Sequence, residues 1–302
     1  RRGGLGWGLP LGINQALARK TVESQTMTNK NTESIVSSTK AYYDGPADQI
    51  YRTIWGENLH LGVPCSDECP HPEAMEHTNQ IMAQAVNLTP DTRVLDLGCG
   101  YGATARYLAA NYGCPITATN ISENELELAW ERTLEAGLEN LIEYEYGDFH
   151  DLIYADDSFH VVWSQEAFLH AADKSKVLAE ANRVLLPRGT LAFTDILVRS
   201  GTPEADRTRI YDRVKSSDMW DLADYQKALE ALGLDVTQTE DWSGHVARSY
   251  GWVRDQVVEH REKLLRLVDA ETIDGTVDAL SFWVEAANAG KIGWAMFVAQ
   301  KP

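Results

Sequence analysis

Cysteine, positive charge and long apolar runs are all scarce in this chain of 302 residues. Its four cysteines do not form the dense pattern that cross-links small secreted domains, so we expect no disulfides and a reducing, cytoplasmic compartment. With 27 basic against 45 acidic residues, the net charge of −18 argues against binding to nucleic acid or to an anionic membrane. No apolar stretch approaches the roughly 18 residues that a membrane span needs.

Two cysteines, Cys65 and Cys69, stand close to His71 and His77 in the segment PCSDECPHPEAMEH. These side chains can bind zinc, but the segment lacks the Cys-x2-Cys spacing that is usual in zinc sites. We therefore predict no bound metal.

The N-terminal segment differs from the rest of the chain. It begins with arginine, contains no acidic residue before Glu23, and has a candidate natural start at Met27. A targeting remnant and an extension unrelated to the folded protein both fit this composition. We expect residues 1–38 to be disordered or extraneous.

Strand-like and helix-like segments alternate through the middle of the chain, which predicts an α/β fold with a doubly wound, Rossmann-like sheet and helices on both faces. We assign this nucleoside-binding domain to residues 39–199. Residues 200–290 contain long amphipathic helices, and we expect a small helical cap there, together with a sixth strand, over the carboxyl ends of the strands. The alternating segment GWAMFVAQK, within residues 291–302, predicts a final antiparallel strand at the edge of the sheet.

The segment VLDLGCGYG, residues 94–102, is an apolar strand that stops at Asp96 and runs into a glycine-rich turn. Gly98 and Gly100 permit a tight turn close to a ligand, and the helix predicted from about Thr104 directs unpaired N–H groups toward the same place. A carboxylate at the strand end repels a pyrophosphate but suits the cationic amino group of S-adenosylmethionine. The segment therefore predicts a site for this methyl donor.

A dinucleotide is the alternative ligand, because Gly98, Gly100 and Ala103 also match the Rossmann fingerprint. That fingerprint expects an acidic residue about 20 positions further on. The next strand instead ends at Asn120, which can bind a ribose but carries no charge. The methyl donor is thus favoured over nicotinamide and flavin nucleotides.

Polar residues also end the next two predicted strands. Asp148 is placed to accept the adenine amino group while Phe149 packs against the base, and Gln165 is placed to meet the methionine part of the donor. The alternative for the first pair is a helix N-cap aspartate followed by a core phenylalanine.

Methyl transfer requires that the nucleophilic atom of the acceptor is correctly positioned and unprotonated. His170 is a candidate proton acceptor and Arg213 a candidate clamp for a carboxylate, although a structural histidine and a surface ion pair explain them equally well. Two or three aromatic residues are expected to form a cage for a methylated ammonium. The candidates are Tyr43, Trp55, Phe168, Tyr211, Trp220, Tyr250, Trp252 and Trp294.

From about residue 40 to the end, the chain resembles the sarcosine/dimethylglycine N-methyltransferases of glycine betaine synthesis, which have the class I methyltransferase fold. The matching stretches are YYDGPAD, IWGENLHLG, VLDLGCGYGATARYLA, NIS, VVWSQEAFLH, FTD, DMWDLADY and AGKIGWAMF. The resemblance implies successive methyl transfer from S-adenosylmethionine to the nitrogen of sarcosine and dimethylglycine beneath a helical lid. In this family Asn120 is the expected residue at its position.

These patterns predict a methyltransferase with a small amine as substrate, acting as a monomer or homodimer. Other acceptors, such as phosphoethanolamine, a phenol or a natural product, remain open, and so does a binding protein without activity. His170, Tyr43 and Arg213 are the predicted catalytic residues. The predicted donor-binding residues are Tyr43, Trp55, Asp96, Gly98, Cys99, Gly100, Asn120, Ile121, Asp148, Phe149 and Gln165.

Overall fold

The computed structural model describes residues 46–302. Tyr43 and the predicted segment 1–38 lie outside these described residues. The described helices are α1 (Pro46–Ile54), α2 (His71–Ala85), α3 (Ala103–Tyr112), α4 (Glu123–Ala136), α5 (Lys174–Val184), α6 (Glu204–Val214), α7 (Leu222–Ala231), α8 (Val246–Glu259), α9 (Arg261–Leu264) and α10 (Ala270–Asn288). The strands are β1 (Val94–Leu97), β2 (Ile116–Asn120), β3 (Ile142–Tyr146), β4 (Phe159–Gln165), β5 (Leu185–Val198), β6 (Asp235–Asp241) and β7 (Ile292–Gln300).

The seven strands form one sheet in the order β3-β2-β1-β4-β5-β7-β6. The first five strands pair in parallel, whereas β7 runs antiparallel to both of its neighbours. The order reverses direction between β1 and β4, which is where a doubly wound sheet opens a crevice for a ligand. The predicted fold class is therefore confirmed.

The predicted edge position of the last strand is wrong. β7 lies between β5 and β6, and eight of its nine residues are buried. Its alternation in sequence reflects small residues, such as Gly293, Ala295 and Ala299, that sit among larger ones on a strand covered on both faces. The edge is β6, whose polar sequence DVTQTED leaves most of its residues partly or fully exposed.

Local side-chain bonds set the starts of several helices. Ser122, Asp173 and Asp269 each accept a hydrogen bond from the backbone N–H three residues ahead, at the first turns of α4, α5 and α10. Asp221 and Asp224 form a reciprocal capping box at the start of α7. These caps explain why the helices begin directly after loops rich in polar residues.

The two faces of the sheet carry separate apolar clusters. One cluster contains residues of α1–α4, α6, α8 and α10, and the other contains residues of α5 and α7, including Tyr225 and Leu229. α7 therefore covers the sheet as an ordinary crossover helix. The cap predicted for residues 200–290 applies at most to α6 and to the α8–α10 insertion.

Cys65 and Cys69 form a disulfide, which corrects the prediction that the chain has none. They are four positions apart in the sequence, and a turn brings their Cα atoms to 5.5 Å, within the range that a disulfide spans. Arg248 of α8 donates hydrogen bonds to the carbonyls of Asp67 and Cys69, so this loop is attached to the helix. The bridge removes the cysteine-based argument for a reducing compartment.

The carboxylate of Glu73 lies close to the same two sulfurs, with all three ligand-type atoms within 4.8 Å of one another. Metal binding requires free thiolates, and the bridge occupies both sulfurs. The absence of a metal stays a prediction. Within residues 46–302, no helix combines the length and apolar character that crossing a bilayer requires.

Candidate active site

A cavity opens at the carboxyl ends of β1, β2 and β4, where the sheet order reverses. Nine of the eleven predicted donor-binding residues line it, and His170 lies at its border. These nine are Asp96, Gly98, Cys99, Gly100, Asn120, Ile121, Asp148, Phe149 and Gln165. The structure thus brings together residues from four separate strand ends, as the sequence pattern predicts.

The glycine turn allows the backbone to pass close to the neighbouring strand end. Gly98 has a φ of +77°, and a Cβ added to it would lie 2.4 Å from the Cβ of Ala167. The N–H groups of Gly98 and Cys99 both donate to the carbonyl of Thr119, which ties the turn to β2. A side chain at position 98 would therefore be both strained and obstructed.

Asp96 is almost completely buried at the tip of β1, with 2% of its surface exposed. Among the described residues, no group donates a hydrogen bond to its Oδ2. Burial without a cationic partner raises the pKa of Asp96 to about 7. A cation at this position would compensate the buried carboxylate, and the ammonium group of S-adenosylmethionine meets this requirement.

Asn120 and Glu125 form the next part of the cavity wall. The Asn120 amide donates to the Glu125 carboxylate over 2.6 Å and accepts from the backbone N–H of Ile121 over 2.8 Å. Sequence reasoning missed Glu125, because it expected an acid at the strand end and not in the first turn of α4. The buried carboxylate of Glu125 thus brings to this part of the cavity wall the acidic group that Asn120 lacks.

Asp148 follows β3, and no described helix begins there, which excludes its alternative role as an N-cap. Its Oδ1 accepts hydrogen bonds from the backbone N–H of His150 (2.9 Å) and from the ring Nδ1 of the same residue (2.6 Å). Burial acts to raise the pKa of Asp148, but these bonds from His150 outweigh it, and the net shift is downward. Phe149 packs edge-on against Phe168, with 5.9 Å between ring centroids.

Gln165 is held by three neighbours at the end of β4. Its Oε1 accepts from the hydroxyl of Thr104 (2.7 Å) and the indole of Trp163 (3.1 Å), and its Nε2 donates to Asn79 (3.0 Å). One amide hydrogen is left for a ligand. The residue therefore lines the cavity in a fixed orientation.

A second cavity adjoins the first, on the side of α1, α6 and α8. The linings of the two cavities share Leu59, Glu166 and His170, so these residues form the boundary between them. Trp55, which was predicted to bind the donor, lines only the second cavity. Its indole Nε1 is buried and has no acceptor within the described part of the chain.

Arg213 projects from the last turn of α6 into this second cavity. Its guanidinium carbon lies 4.8 Å from the ring centroid of Tyr250 and 4.6 Å from that of Trp283, and its Nη2 donates to the hydroxyl of Tyr51. The rings of Tyr51, Tyr250 and Trp283 therefore lie around this cation.

Of the eight aromatic residues predicted as cage candidates, Trp55 and Tyr250 line the second cavity. Tyr51, which was not among the candidates, lines it as well, and α1 places it one turn before Trp55. Phe168 and Trp294 pack in the interior, Trp220 is partly buried against the cluster that contains Tyr225, and Trp252 stacks against His71. The sequence contained a signal for Tyr51, because Tyr51 lies four positions, or about one helical turn, before the candidate Trp55.

His170 lies in the short turn Phe168–His170 after β4 and borders both cavities. Burial, with a smaller contribution from the nearby Lys174, lowers the pKa of His170 to about 3. The imidazole is therefore neutral at physiological pH. Such a low pKa makes His170 a poor proton acceptor, which weakens the role predicted for it.

Glu166 is a boundary residue to which the sequence assigned no role of its own. It has a φ of +46°, a left-handed conformation that costs a residue with a side chain about 1 kcal/mol. Its Oε1 accepts from the indole of Trp294 (2.5 Å) and its Oε2 from the backbone N–H of Leu61 (3.2 Å). Burial raises the pKa of Glu166 to about 7.

Comparison with known proteins agrees with this site. A model of the methyltransferase domain family matches residues 95–193. A sarcosine/dimethylglycine N-methyltransferase of Halorhodospira halochloris is 36% identical over 278 residues, which cover 91% of this chain and 100% of that protein. A glycine/sarcosine/dimethylglycine N-methyltransferase of Actinopolyspora halophila is 38% identical over 88% of this chain, which spans only 47% of that longer protein.

A solved structure from Galdieria sulphuraria, assigned as a sarcosine dimethylglycine methyltransferase, superposes with a TM-score of 0.79 at 30% identity. The alignment covers 85% of this chain and 98% of that one. The fold and the donor cavity define a class I methyltransferase, an enzyme that takes its methyl group from S-adenosylmethionine. Within this class, the chain belongs to the sarcosine/dimethylglycine N-methyltransferase family.

Proposed function

We propose that this enzyme methylates the nitrogen of sarcosine and of dimethylglycine, so that its final product is glycine betaine. The observation that carries the proposal is the second cavity, in which a single arginine lies among aromatic rings beside the donor cavity. A small amino acid with a methylated nitrogen needs a cation for its carboxylate and π faces for its ammonium group. The names of the relatives from Halorhodospira and Actinopolyspora support the same substrates.

The donor-side roles follow from the cavity lining. We assign Asp96 to the donor ammonium, Asn120 and Glu125 to the ribose, and Asp148 with Phe149 to the adenine. The turn residues Gly98, Cys99 and Gly100 also line the donor cavity, as do Ile121 and Gln165. The bound donor supplies an electrophilic methyl group on a sulfonium, and the enzyme's residues supply alignment of the two reactants.

On the acceptor side, we assign Arg213 to the substrate carboxylate, where its planar fork allows two parallel hydrogen bonds. Tyr51, Trp55 and Tyr250 enclose the methylated nitrogen. A role for Tyr43 stays a prediction, because this residue lies outside the described chain. We assign His170 to contact with the substrate as a neutral imidazole.

The arrangement of helices supports a cap formed by α6 and α8–α10, because Arg213 and Tyr250 come from these helices. The division at residues 199 and 290, the cytoplasmic location and the monomeric or homodimeric state stay predictions. So does the absence of contact with nucleic acid and membranes.

Mass spectrometry of amines incubated with the enzyme and isotopically labelled donor tests the substrate. We expect label in dimethylglycine when sarcosine is supplied and in glycine betaine when dimethylglycine is supplied. Label only in phosphoethanolamine or in a natural-product acceptor would reject the proposed substrates. Donor binding without S-adenosylhomocysteine formation from any acceptor would indicate a binding protein.

Arg213→Gln tests the assigned carboxylate contact. Loss of charge-assisted hydrogen bonds costs about 1.5 to 3 kcal/mol, so we expect the KM for sarcosine to rise by about ten- to a hundredfold. Arg209→Gln is the matched control, because Arg209 lies on the same helix, also stacks on an aromatic ring, Phe282, and lines neither cavity. Equal effects of the two substitutions would argue against the assignment.

A further inference from the structure

Glu166 occupies a position that the donor-side and acceptor-side assignments above leave without a role. Among the described residues, it is the acidic side chain that the linings of both cavities share. The reacting nitrogen of an acceptor must sit at this same boundary, because the methyl group passes from one cavity to the other. Glu166 therefore lies where the two reactants meet.

The backbone of Glu166 has an unusual conformation for a residue with a side chain. β4 ends at Gln165, and Glu166 follows in a left-handed conformation with a φ of +46°. Glycine adopts this conformation without strain, so a glutamate that persists here must be held by other contacts. Strained residues of this kind concentrate at functional sites.

Two N–H donors hold the carboxylate in one orientation. The indole of Trp294, on β7, donates to Oε1, and the backbone of Leu61 donates to Oε2. A carboxylate has about four sites that accept hydrogen bonds, so each oxygen retains capacity for a further partner. The carboxylate, held in this orientation, can thus accept a hydrogen bond from an N–H group of a molecule in either cavity.

The lining of the second cavity contains charged groups of both signs. Arg213 is the cation that projects from α6, and Glu166 is the acid at the border with the donor cavity. The rings of Tyr51, Trp55 and Tyr250 line the same cavity. An amino acid bound with its carboxylate at Arg213 directs its ammonium group toward Glu166.

We propose that Glu166 is a catalytic residue that binds the ammonium group of the acceptor and removes its proton before methyl transfer. The proposal rests on the proposed function, since it requires an amine acceptor in the second cavity. It concerns the secondary ammonium of sarcosine and the tertiary ammonium of dimethylglycine. Both lack a lone pair on nitrogen until one proton leaves.

The proton and electron balance of the step is simple. One N–H bond breaks, its electron pair stays on nitrogen as the lone pair, and the proton forms an O–H bond on the carboxylate of Glu166. The nitrogen lone pair then forms the new N–C bond while the methyl–sulfur bond breaks, and its electrons remain on the neutral thioether. The protonated Glu166 returns its proton to water before the next turnover.

The titratable groups around Glu166 are compatible with this role. His60 and His170 have pKa values lowered by burial to about 4 and about 3, so both are neutral when the enzyme works. Burial raises the pKa of Tyr250 above its usual range, and that of Asp195 to about 6. Asp195 lines neither cavity, Arg213 is a permanent cation, and Asp96, whose pKa burial raises to about 7, lines only the donor cavity. Since Asp96 is assigned to the donor ammonium, Glu166 is the proton acceptor with access to substrate.

The pH dependence of kcat/KM with dimethylglycine tests the proposal. In the wild-type enzyme we expect kcat/KM to rise about tenfold per pH unit and to level off above about pH 7, where Glu166 is ionised. Glu166→Gln should lower kcat/KM by about a hundredfold or more at pH 7.5. It should also remove the plateau, so that kcat/KM keeps rising toward the pKa of a free alkylamine, about 10.

Two further variants separate proton transfer from a structural role. Glu166→Asp keeps the carboxylate and should retain a plateau at a reduced rate. Trp294→Phe removes a hydrogen bond that lowers the pKa of Glu166, so the plateau should begin at a higher pH. Glu180→Gln is the matched control: it alters a partly buried glutamate that also accepts a backbone N–H but lines neither cavity, and its profile should equal that of the wild type.

The proposal is overturned if Glu166→Gln binds S-adenosylhomocysteine normally and keeps the wild-type plateau and rate. If this variant does not fold, an unchanged plateau in Trp294→Phe overturns it instead. A wild-type enzyme that methylates neither sarcosine nor dimethylglycine would contradict the proposed function, which is a different result.

Discussion

At the scale of single residues, Asp96 has a buried carboxylate whose charge a bound ligand would compensate. Its carboxylate is buried at a strand tip, and no described group compensates Oδ2. Asp96→Asn keeps the shape and removes the charge, so we expect the affinity for S-adenosylmethionine to fall by about ten- to a hundredfold, through loss of a charge-assisted hydrogen bond. Calorimetric titration measures this change.

The same substitution should stabilise the protein in the absence of donor at pH 8, because it removes a buried charge that nothing there neutralises. Asp91→Asn is the control, since Asp91 is exposed just before the same strand. An affinity for the donor that is unchanged in Asp96→Asn would remove Asp96 from the donor site.

Individual residues also show which parts of this site could be predicted from the sequence. Asp96, Asn120 and Asp148 were predicted because each ends or directly follows a strand, and strand ends meet at one edge of a parallel sheet. Glu125 and Glu166 were missed for different reasons. Glu125 reaches the cavity from a helix, and the importance of Glu166 comes from a backbone conformation and from contacts with residues more than 100 positions away.

At the scale of elements, the turn between β1 and α3 requires glycine for two separate reasons. Gly98→Ala adds left-handed strain and a Cβ 2.4 Å from that of Ala167, whereas Gly137→Ala adds similar strain with nothing within 4 Å. We expect Gly137→Ala to cost about 1 kcal/mol of stability and to bind the donor normally. Gly98→Ala should cost more and weaken donor binding, because the turn or the Ala167 backbone must move.

Urea unfolding and calorimetric titration with S-adenosylhomocysteine measure the two effects for both variants. Normal donor affinity in Gly98→Ala would show that the turn tolerates a side chain. The contact between positions 98 and 167 would then have no part in shaping the cavity.

The loop between α1 and α2 carries the Cys65–Cys69 bridge, which closes a loop of only five residues. By the chain-entropy estimate, such a short loop contributes about 2 kcal/mol. We expect the Cys65→Ser/Cys69→Ser double variant to lose about this much free energy of unfolding. Reductant should lower the stability of the wild type to the same value and leave the double variant unchanged.

Alkylation followed by mass spectrometry checks the premise. In the folded, unreduced wild type, Cys65 and Cys69 should both be protected from alkylation. Modification of either cysteine without reductant would contradict the bridge.

At the scale of the whole molecule, buried carboxyls and histidines have opposite effects on stability as pH changes. Burial lowers the pKa values of His60, His71 and His170, so these residues favour the folded state increasingly as pH rises to about 6.5. Asp96 and Glu166 have raised pKa values near 7, so their contribution is present at low pH and is lost as pH rises through 7.

Above about pH 6.5 the histidine effect is complete, whereas the effect of these two carboxyls continues. Without donor, we expect the free energy of unfolding to fall by about 1 kcal/mol for each of the two carboxyls between pH 6.5 and 8. Saturating S-adenosylmethionine supplies a cation to Asp96 and should reduce this loss. Urea unfolding across this pH range, with and without donor, measures both effects, and stability that rises toward pH 8 without donor would contradict the assigned pKa directions.

The order of strands shows where pattern alone fails. The alternation of strands and helices was sufficient to predict a mostly parallel, doubly wound sheet, because each helix must cross over to the next parallel strand. The position of β7 was not predictable in this way. The sequence of β7 alternates like that of an edge strand, yet β6, which precedes it in the chain, occupies the edge.

The sequence by itself determined the fold class, the glycine turn and the methyl donor, because these follow from local periodicity, backbone freedom and the charge at one strand end. Only the tertiary structure decided the acceptor side. It surrounded Arg213 with aromatic rings from three helices, separated Trp55 from the donor cavity, and placed Glu166 between the two cavities. The physical reason is that burial and partners, which determine what a charged side chain can do, come from segments far apart in the chain.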